Sequence, residues 1–471
     1  MEAEQEQEQQ QVQTVGALPE LRDARKLLER AVPSKDTRLA GRSLRHALSL
    51  RKRLTACDIA ALCIEFVTSE NTSSALLSAV GSPFPPPDVD SSASSDCPAE
   101  VSALAGLLGV AFLLDSNSPS SAAHVSSLFV SDASRTNRRT LDPINARLLQ
   151  IYSLAHERCN SLSSIRDDLV RLYRTAVLRH DNAGQEVLVN LVIRNFLKYS
   201  LFEQAEKFRS KAQRPEVQTN QQACRYLFYL GQIRAVQLEY SEAKESLSQA
   251  LRKAPQIAKG FRLQTVKWLS VVRLLLGEIP ERSLFMQPGM CSALKPYYDI
   301  ANAVRLGDVT EFQRAAKQYT QVLERDGLIN LVNRLHRNVV RVGLRRINLA
   351  YSRISLSEIA KKLQLASADD AENIVSKAIK DGALEASIGP HGHLMESHPP
   401  TDVYSTTEPQ SEFHARISYC LNLHNDALKA MRFPRSRRGP KGESQEQRRE
   451  RVLAEEEIMQ MEDDDFDDAL F

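Results

Sequence analysis

Three histidines close together, His391, His393 and His398, are the residues of this sequence best suited to chemistry. Two histidines separated by one residue can hold a zinc ion that activates water, provided that a carboxylate completes the site. A zinc isopeptidase of this kind would need a serine eight residues after the pair and an aspartate three residues later, where this sequence has Thr401 and Tyr404. Because the third ligand is missing, we expect an exposed loop and no metal site.

Other catalytic patterns are absent from the sequence. It contains no Gly-x-Gly-x-x-Gly motif, no phosphate-binding Gly-Lys-Ser/Thr loop and no Gly-x-Ser-x-Gly elbow. We therefore predict no catalytic residue, no cofactor and no metal, and expect that the protein is not an enzyme.

The composition is that of a large soluble protein without a strong field of either sign. The chain has 471 residues, of which 42% are hydrophobic, and a net charge of +2. The longest apolar run, 101–114, is too short to cross a bilayer and predicts a buried helix, so we expect no membrane partner. The amino terminus resembles no secretory signal, and the seven cysteines form no Cys-x-x-Cys pair. We expect reduced thiols and a location in the cytoplasm and nucleus.

A predicted helix over residues 328–350 carries the best candidate for nucleic-acid contacts. Arg337, Arg341 and Arg345 recur at intervals of four residues and could reach phosphates. Charged residues on amphipathic helices more often face water or a protein partner, and no aromatic residues are interleaved for base stacking. We favour the solvated or partner-facing interpretation.

Residues 353–396 predict a winged helix, two short helices followed by a β-hairpin. Ser357 could cap the first helix, Ser367 with Asp370 resembles a capping box for the second, and Gly382 would end it. After Gly382 the apolar period changes from that of a helix to that of a strand. The apolar residues predicted to form the winged-helix core are Leu356, Ile359, Leu363, Ile374, Val375, Ile379, Leu384 and Ile388.

A winged helix either binds DNA or joins proteins, and charge distinguishes the two. The helix that would enter the groove carries more acidic than basic residues, so phosphate would be repelled. We therefore expect a protein-joining module and keep a nucleic-acid-binding regulator as the alternative function. The charged residues of this helix and its ends are Asp369, Asp370, Glu372, Lys377, Lys380 and Asp381.

Similar breaks between helical patterns recur at 201–205, 239–243 and 307–312. Their separations are close to one and two units of roughly 35 residues, the size of helix-pair repeats, which bury their apolar faces by stacking. The fold class predicted is mostly α, with a TPR-like helical-repeat solenoid, then the winged helix and a C-terminal bundle helix. Trp268 is expected in the core.

The last predicted helix opens with Pro409 in its first turn and has an apolar seam that little of the remaining chain could bury. The spacing of the seam is close to a heptad, so a partner helix is the expected cover. The seam residues of this assembly helix are Phe413, Ile417, Leu421, Leu428 and Met431.

This order of elements resembles the PCI-domain family, whose module is shared by the proteasome lid, the signalosome and a translation initiation factor. Several sequence runs are similar to a lid subunit of the proteasome regulatory particle. The wing departs from the family pattern, because Gly-Pro-His-Gly-His-Leu replaces a charged turn followed by glycine and an aromatic residue. The runs that carry the resemblance are 354–363, 370–382, 385–388, 402–410, 413–425 and 429–434.

The resemblance implies a non-catalytic scaffold in a hetero-oligomer. Winged helices of the family pair side by side with those of other PCI-domain lid subunits, and the C-terminal helices gather in one bundle that drives lid assembly. A small acidic disordered lid protein is a further implied partner. The basic residues that would suit it are Arg225, Arg234, Lys253, Lys259 and Arg262.

The predicted organisation has seven parts. They are a disordered N-terminus (1–17), an N-terminal helical region (18–81), a Pro/Ser-rich linker (82–99), helical repeats (100–222), a PCI domain (223–402, with its winged helix at 353–396), a C-terminal assembly helix (403–434) and a charged tail (435–471).

Overall fold

The computed structural model describes residues 18–67, 69–81, 97–212, 219–365, 367–389, 394–398 and 403–432. The predicted N-terminal segment, nearly all of the linker, His391 and His393 of the histidine cluster, and the charged tail lie outside these residues. The chain divides into two compact units, the first ending at Ala254 and the second beginning at Pro255.

The first unit is built from helices alone in its described part. A short 3₁₀ turn, Arg51–Arg53, follows the second helix. The helices are α1 (Leu18–Ser34), α2 (Thr37–Ser49), α3 (Ala56–Phe66), α4 (Glu70–Val80), α5 (Ala99–Asp115), α6 (Pro119–Arg135), α7 (Asp142–Arg158), α8 (Arg166–Arg179), α9 (Asn182–Lys198), α10 (Phe202–Lys211), α11 (Asn220–Val236) and α12 (Tyr240–Lys253).

Stacked helix pairs form the second half of this unit. Helices α7, α9 and α11 contact one another in series, while α8 and α10 pack on α9 and α12 packs on α11. The predicted breaks at 201–205 and 239–243 fall between paired helices, where Ser200 and Leu238 adopt positive φ. Helix α5 is buried on nearly every side, as its apolar run predicts. The helical-repeat prediction is confirmed.

The predicted division between repeats and PCI domain, at 222/223, differs from the boundary between the compact units. Residue 222 lies inside α11, which packs on α12. Sequence patterns mark where helices break, but the boundary depends on which helices pack together. The compact units divide after α12, whereas the boundary of the PCI domain at 222/223 stays a prediction.

The second unit contains helices and one small sheet. A 3₁₀ turn, Val403–Ser405, precedes its last helix. The elements are α13 (Lys259–Leu276), α14 (Arg282–Phe285), α15 (Cys291–Leu306), α16 (Val309–Gln318), α17 (Thr320–Arg325), α18 (Ile329–Ala350), β1 (Arg353–Ser355), α19 (Leu356–Leu363), α20 (Ala368–Lys380), β2 (Ala386–Ile388), β3 (Leu394–Ser397) and α21 (Glu408–Arg432).

Helices α13, α15 and α18 pack together and form the body of the second unit. Trp268 is buried in α13, as expected. Beside it, the Lys267 ammonium lies 2.8 Å from an Asp326 carboxylate oxygen that also accepts a hydrogen bond from the Tyr297 hydroxyl, at 2.7 Å. Burial, together with this hydrogen bond, raises the pKa of Tyr297 far above its ordinary value. Each of these three polar groups therefore has a partner, as stability requires.

The strands form one antiparallel sheet in the order β1-β3-β2. Met395 in the central strand faces Ile354 on one side and Ile388 on the other. The hairpin of β2 and β3 was predicted, whereas β1 was not, because three residues are too few to show a strand period. With α19 and α20, this sheet completes a winged helix.

Candidate assembly surface

The winged helix begins at a capped turn directly after β1. The Ser355 hydroxyl accepts a hydrogen bond from the Glu358 amide, at 3.3 Å, and so caps α19. The predicted cap, Ser357, lies within the helix, so that prediction is wrong. A Ser-x-Ser sequence offers two caps at nearly equal cost, and the strand that precedes α19 selects the first one. Ser367 caps α20 through the Asp370 amide, as predicted.

The predicted core residues of the winged helix differ in their burial. Leu356, Ile359, Leu363, Val375 and Leu384 are buried, whereas Ile374, Ile379 and Ile388 are half-buried. Ile374 and Ile379 lie at the margins of the α20 stripe, whose centre is occupied by Ala371, Val375 and Ala378. The sequence analysis missed Met395, which is fully buried under the sheet. Leu394 and Met395 are both apolar, so the sequence does not show which of the two faces the core.

Three arginines of α18 hold the end of α20. Arg337 and Arg341 lie 3.3 Å and 2.9 Å from the same Asp381 carboxylate oxygen, and Arg345 donates to the Ala383 carbonyl at 3.2 Å. The carboxyl end of a helix carries partial negative charge, so guanidinium groups stabilise it. The basic residues that were the candidate for nucleic-acid contacts therefore bind the winged helix of the same chain, and the alternative function is not favoured.

Two glycines allow close packing where α18 meets its neighbours. Gly307, with φ of +65°, ends α15, and a Cβ atom there would lie 2.6 Å from the Gly343 amide nitrogen. A Cβ atom on Gly343 would lie 2.8 Å from Leu363 Cδ2 and 2.9 Å from the Gly307 carbonyl oxygen. Only glycine fits at either position without movement of its neighbours. This contact ties the winged helix to the helical body of the second unit.

Helix α21 has the predicted seam, and its side chains face solvent. The exposed fractions of the side chains range from 40% at Leu428 to 75% at Met431, with Phe413, Ile417 and Leu421 between these values. Every described side chain of the helix apart from Pro409 and Ser418 is exposed. Large apolar side chains rarely form such a continuous exposed surface unless it is an interaction site.

Two further apolar residues extend this surface. Tyr419 and Leu423, four residues apart and therefore on one stripe, are exposed by 68% and 58%. The sequence analysis followed only the heptad seam and missed this second stripe. With both stripes, more than half of the helix circumference is apolar in its C-terminal part, so we expect one partner helix to be insufficient as cover.

The histidine cluster is only partly described, since His391 and His393 lie outside the described residues. His398 is exposed, and its amide donates to the Glu385 carbonyl, at 2.9 Å. Within the described ranges, no group of three or more His, Cys, Asp and Glu side chains could hold a metal ion. Among the helices of the same ranges, not one combines the length and the apolar character that crossing a bilayer needs.

The predicted basic surface for an acidic partner is divided between the two units, and its members differ in exposure. Lys253 and Lys259 are exposed, whereas Arg225, Arg234 and Arg262 are half-buried. Arg234 lies 2.9 Å from the Glu242 carboxylate. Burial lowers the pKa of Arg225 to about 10, so this guanidinium is largely removed from water. Spacing alone could not show that α11 directs Arg225 inward.

Comparisons with protein families define the class first: a chain of N-terminal helical repeats followed by a PCI domain. The family model "PSMD3-like, N-terminal TPR repeats" matches residues 13–301, and the "PCI domain" model matches 316–399. A third model, which describes the carboxy-terminal part of a proteasome regulatory subunit, matches 402–468.

Relatives then narrow the class to a particular family. The chain is 46% identical to a probable 26S proteasome non-ATPase regulatory subunit 3 of Nicotiana tabacum, over 88% of this chain and 87% of the relative. It is 45% identical to homolog A of this subunit in Arabidopsis thaliana, over 89% of each chain. The Drosophila melanogaster relative is 42% identical over 97% of this chain and 94% of its own. The chain belongs to the family of 26S proteasome non-ATPase regulatory subunit 3.

Proposed function

We propose that this protein is a non-catalytic scaffold of the lid of the proteasome regulatory particle, where it supports lid assembly and thereby ubiquitin-dependent protein degradation. The observation that carries the proposal is the exposed apolar surface of α21. Two further observations support an adhesive role: the chain belongs to a family of regulatory, non-ATPase subunits, and the arginines of α18 bind the end of α20 in the winged helix.

The energetic basis of the proposal is the burial of apolar surface on assembly. Fully burying a large apolar side chain contributes about 1.5 to 3 kcal/mol, and the five seam residues still expose roughly half of that surface. Covering them would contribute on the order of 5 kcal/mol, enough to change an association constant by more than a thousandfold.

The partners proposed are other proteasome lid subunits with PCI domains, in a hetero-oligomer, with a location in the cytoplasm and nucleus. Pairing of winged helices would place each module beside its neighbour, and helix bundling would cover α21. A small acidic lid protein would meet exposed basic residues of the predicted set, Lys253 or Lys259, and a substitution at each tests its contribution separately.

The test is a double substitution in the seam, Leu421→Ala with Leu428→Ala, in the full chain expressed in cells. We expect the variant to be lost from the purified lid, as measured by native mass spectrometry. The melting temperature of the isolated chain should stay unchanged, because both side chains are exposed there.

Matched control substitutions lie in the polar sector of the same helix, away from the seam. Asn422→Ala with Lys429→Ala changes two exposed residues of α21 without touching the seam, and should leave incorporation unchanged. Normal incorporation of the seam variant, or equal loss of the control, would contradict the proposal.

A further inference from the structure

One side of helix α2 carries only positive charge. Arg38, Arg42 and Arg45 are spaced by four and three residues, so they share one side of the helix. Arg38 and Arg42 are exposed and Arg45 is half-buried, whereas Ala40 and Ala47 are buried on the opposite side. Helix α2 has no acidic residue, and Arg38 lies in its first turn, where the helix dipole favours negative charge. We call Arg38, Arg42 and Arg45 the basic ridge.

The basic ridge has no carboxylate partner within the described part of the chain. No side-chain ion pair or hydrogen bond joins its guanidinium groups to a described residue. Asp36, the nearest acidic residue in the sequence, accepts from the Arg38 amide nitrogen at 2.9 Å and so caps α2. Like charges four residues apart destabilise a helix, so an anion lying along the ridge would be favourable. Four neighbouring arginines each have such a partner: Arg22 with Glu65, Arg25 with Glu29, Arg51 with Asp115 and Arg53 with Glu20.

The chain enters α1 beside the carboxyl end of α2. The two helices are antiparallel, since the Ser43 hydroxyl donates to the Ala24 carbonyl at 2.7 Å, and Glu20 near the start of α1 binds Arg53 in the turn after α2. Residues 1–17, which lie outside the described ranges, contain four glutamates and no lysine or arginine. An acidic segment is therefore attached to the helix pair that carries the basic ridge.

The spacing of these glutamates suits the ridge. They occupy alternate positions within residues 2–8, so an extended chain would present all four carboxylates on one side, about 6.7 Å apart. Along α2, successive ridge arginines are separated by about 6 and 4.5 Å, which makes the ridge about 10.5 Å long. The linker from Glu8 to α1 spans at most about 33 Å, enough to reach every ridge arginine.

We propose that the basic ridge of α2 binds the glutamate-rich segment 2–8 of the same chain, with the carboxylates of the segment against the guanidinium groups. A short tether gives the segment a local concentration in the millimolar range, at which several weak, exposed ion pairs suffice. The acidic run 455–468 has no such tether to α1 and α2. A nucleic acid fits less well, because α2 has no Phe, Tyr or Trp for base stacking. The inference depends neither on α21 nor on the proposed function.

Carbodiimide coupling tests the contact in the full chain. Arg42→Lys keeps the charge of the ridge and introduces a primary amine, which couples to a carboxylate that pairs with it. We expect mass spectrometry to find position 42 joined to segment 2–8, with a yield that falls about fivefold or more when salt rises from about 20 to about 500 mM. Arg174→Lys is the matched control, at an exposed arginine of α8 in the same unit, and should give no such product.

A glutamate-specific protease provides a second measurement, because docking should protect segment 2–8 from cleavage. Replacing the ridge by glutamines, Arg38→Gln with Arg42→Gln and Arg45→Gln, should raise the rate of cleavage within the segment by about threefold or more at low salt. Arg174→Gln should leave this rate unchanged. Circular dichroism checks that both variants keep the helical fold.

Three results would overturn the proposal. They are a coupling yield at position 42 that does not fall with salt, coupling to another segment in place of 2–8, and cleavage of the glutamine variant at the wild-type rate. Coupling to 455–468 would assign the ridge to that acidic run, and coupling to a second polypeptide would assign it to a separate acidic partner.

Discussion

Two regions of the second unit have the same kind of apolar helix pattern but opposite environments. In the winged helix, Ile359 and Val375 are fully buried, whereas Ile417 of α21 is 57% exposed. Amphipathic spacing predicts each helix equally well, since it depends only on local periodicity. Whether the stripe is covered depends on the rest of the chain. The difference separates the side chains that stabilise the fold from those available for assembly.

Thiol labelling should show the largest difference between covered and uncovered regions. Cys420 is exposed in α21 and Cys63 is buried in α3. Burial raises the pKa of Cys63 to about 12, so at pH 8 only about one molecule in 10⁴ carries the thiolate there. We expect peptide mapping after treatment with a thiol reagent to find Cys420 modified and Cys63 unmodified.

Assembly with partner subunits should lower the labelling of Cys420. Cys420 lies beside Leu421 of the seam, so it should become protected when α21 is covered, while the exposed Cys57 and Cys291 control for the reagent. Equal labelling of Cys420 in the free and assembled protein would contradict the bundle interpretation.

Matched isoleucine truncations should differ by several kcal/mol. Ile359→Ala removes a fully buried side chain and should lower the free energy of unfolding of the isolated chain by about 2 to 5 kcal/mol. Ile417→Ala removes an exposed one and should change it by less than about 0.5 kcal/mol. Urea denaturation measures both values. Similar losses would show that α21 is already covered within the chain.

Two glycine substitutions test how closely α18 is packed against its neighbours. Gly343→Ala places a methyl group against Leu363 and the Gly307 carbonyl. Overpacking costs about 1 to 3 kcal/mol, partly offset by better helix propensity, so we expect a net loss of about 1 to 2 kcal/mol. Gly260→Ala in α13 meets no atom within 4 Å and should be neutral or slightly stabilising. Denaturation of both variants compares them, and the opposite order would disprove close packing at Gly343.

The smallest effect is expected from two charge removals. Asp381→Asn breaks the contacts with Arg337 and Arg341 and should cost about 0.5 to 1 kcal/mol at low salt and less at high salt. Asp426→Asn in α21 removes an exposed pair with Lys429, 3.7 Å apart, and should have almost no effect. Urea denaturation at two salt concentrations measures both. If Asp381→Asn lowers the free energy of unfolding equally at both salt concentrations, Asp381 has a role other than charge pairing.

The sequence predicted the elements of the fold well where their signals are local. The breaks near Ser200 and Leu238, the Ser367 cap and the start of α21 near Pro409 all follow from short-range patterns. The unit boundary after Ala254 and the pairing of Arg337 with Asp381 depend on contacts between residues far apart in the chain. The apolar periodicity of a segment depends only on neighbouring residues, so it does not predict such contacts.

The position of the exposed apolar surface on α21 could be predicted from the sequence, but its full extent could not. The seam from Phe413 to Met431 follows heptad spacing, but Tyr419 and Leu423 form a second stripe that a two-helix pattern does not include. Burial of Arg225 was likewise hidden, because exposure of a long basic side chain depends on which way its helix faces in the stack.

The exposed surface of α21 has a consequence for the supply of this protein. A newly made copy presents several large apolar side chains to a crowded solution, and such surfaces favour self-association in proportion to concentration. Synthesis in excess of its partners would therefore yield aggregates or substrates for quality control. Under the proposed function, the chain is best made in stoichiometric balance with the subunits that we propose to cover α21.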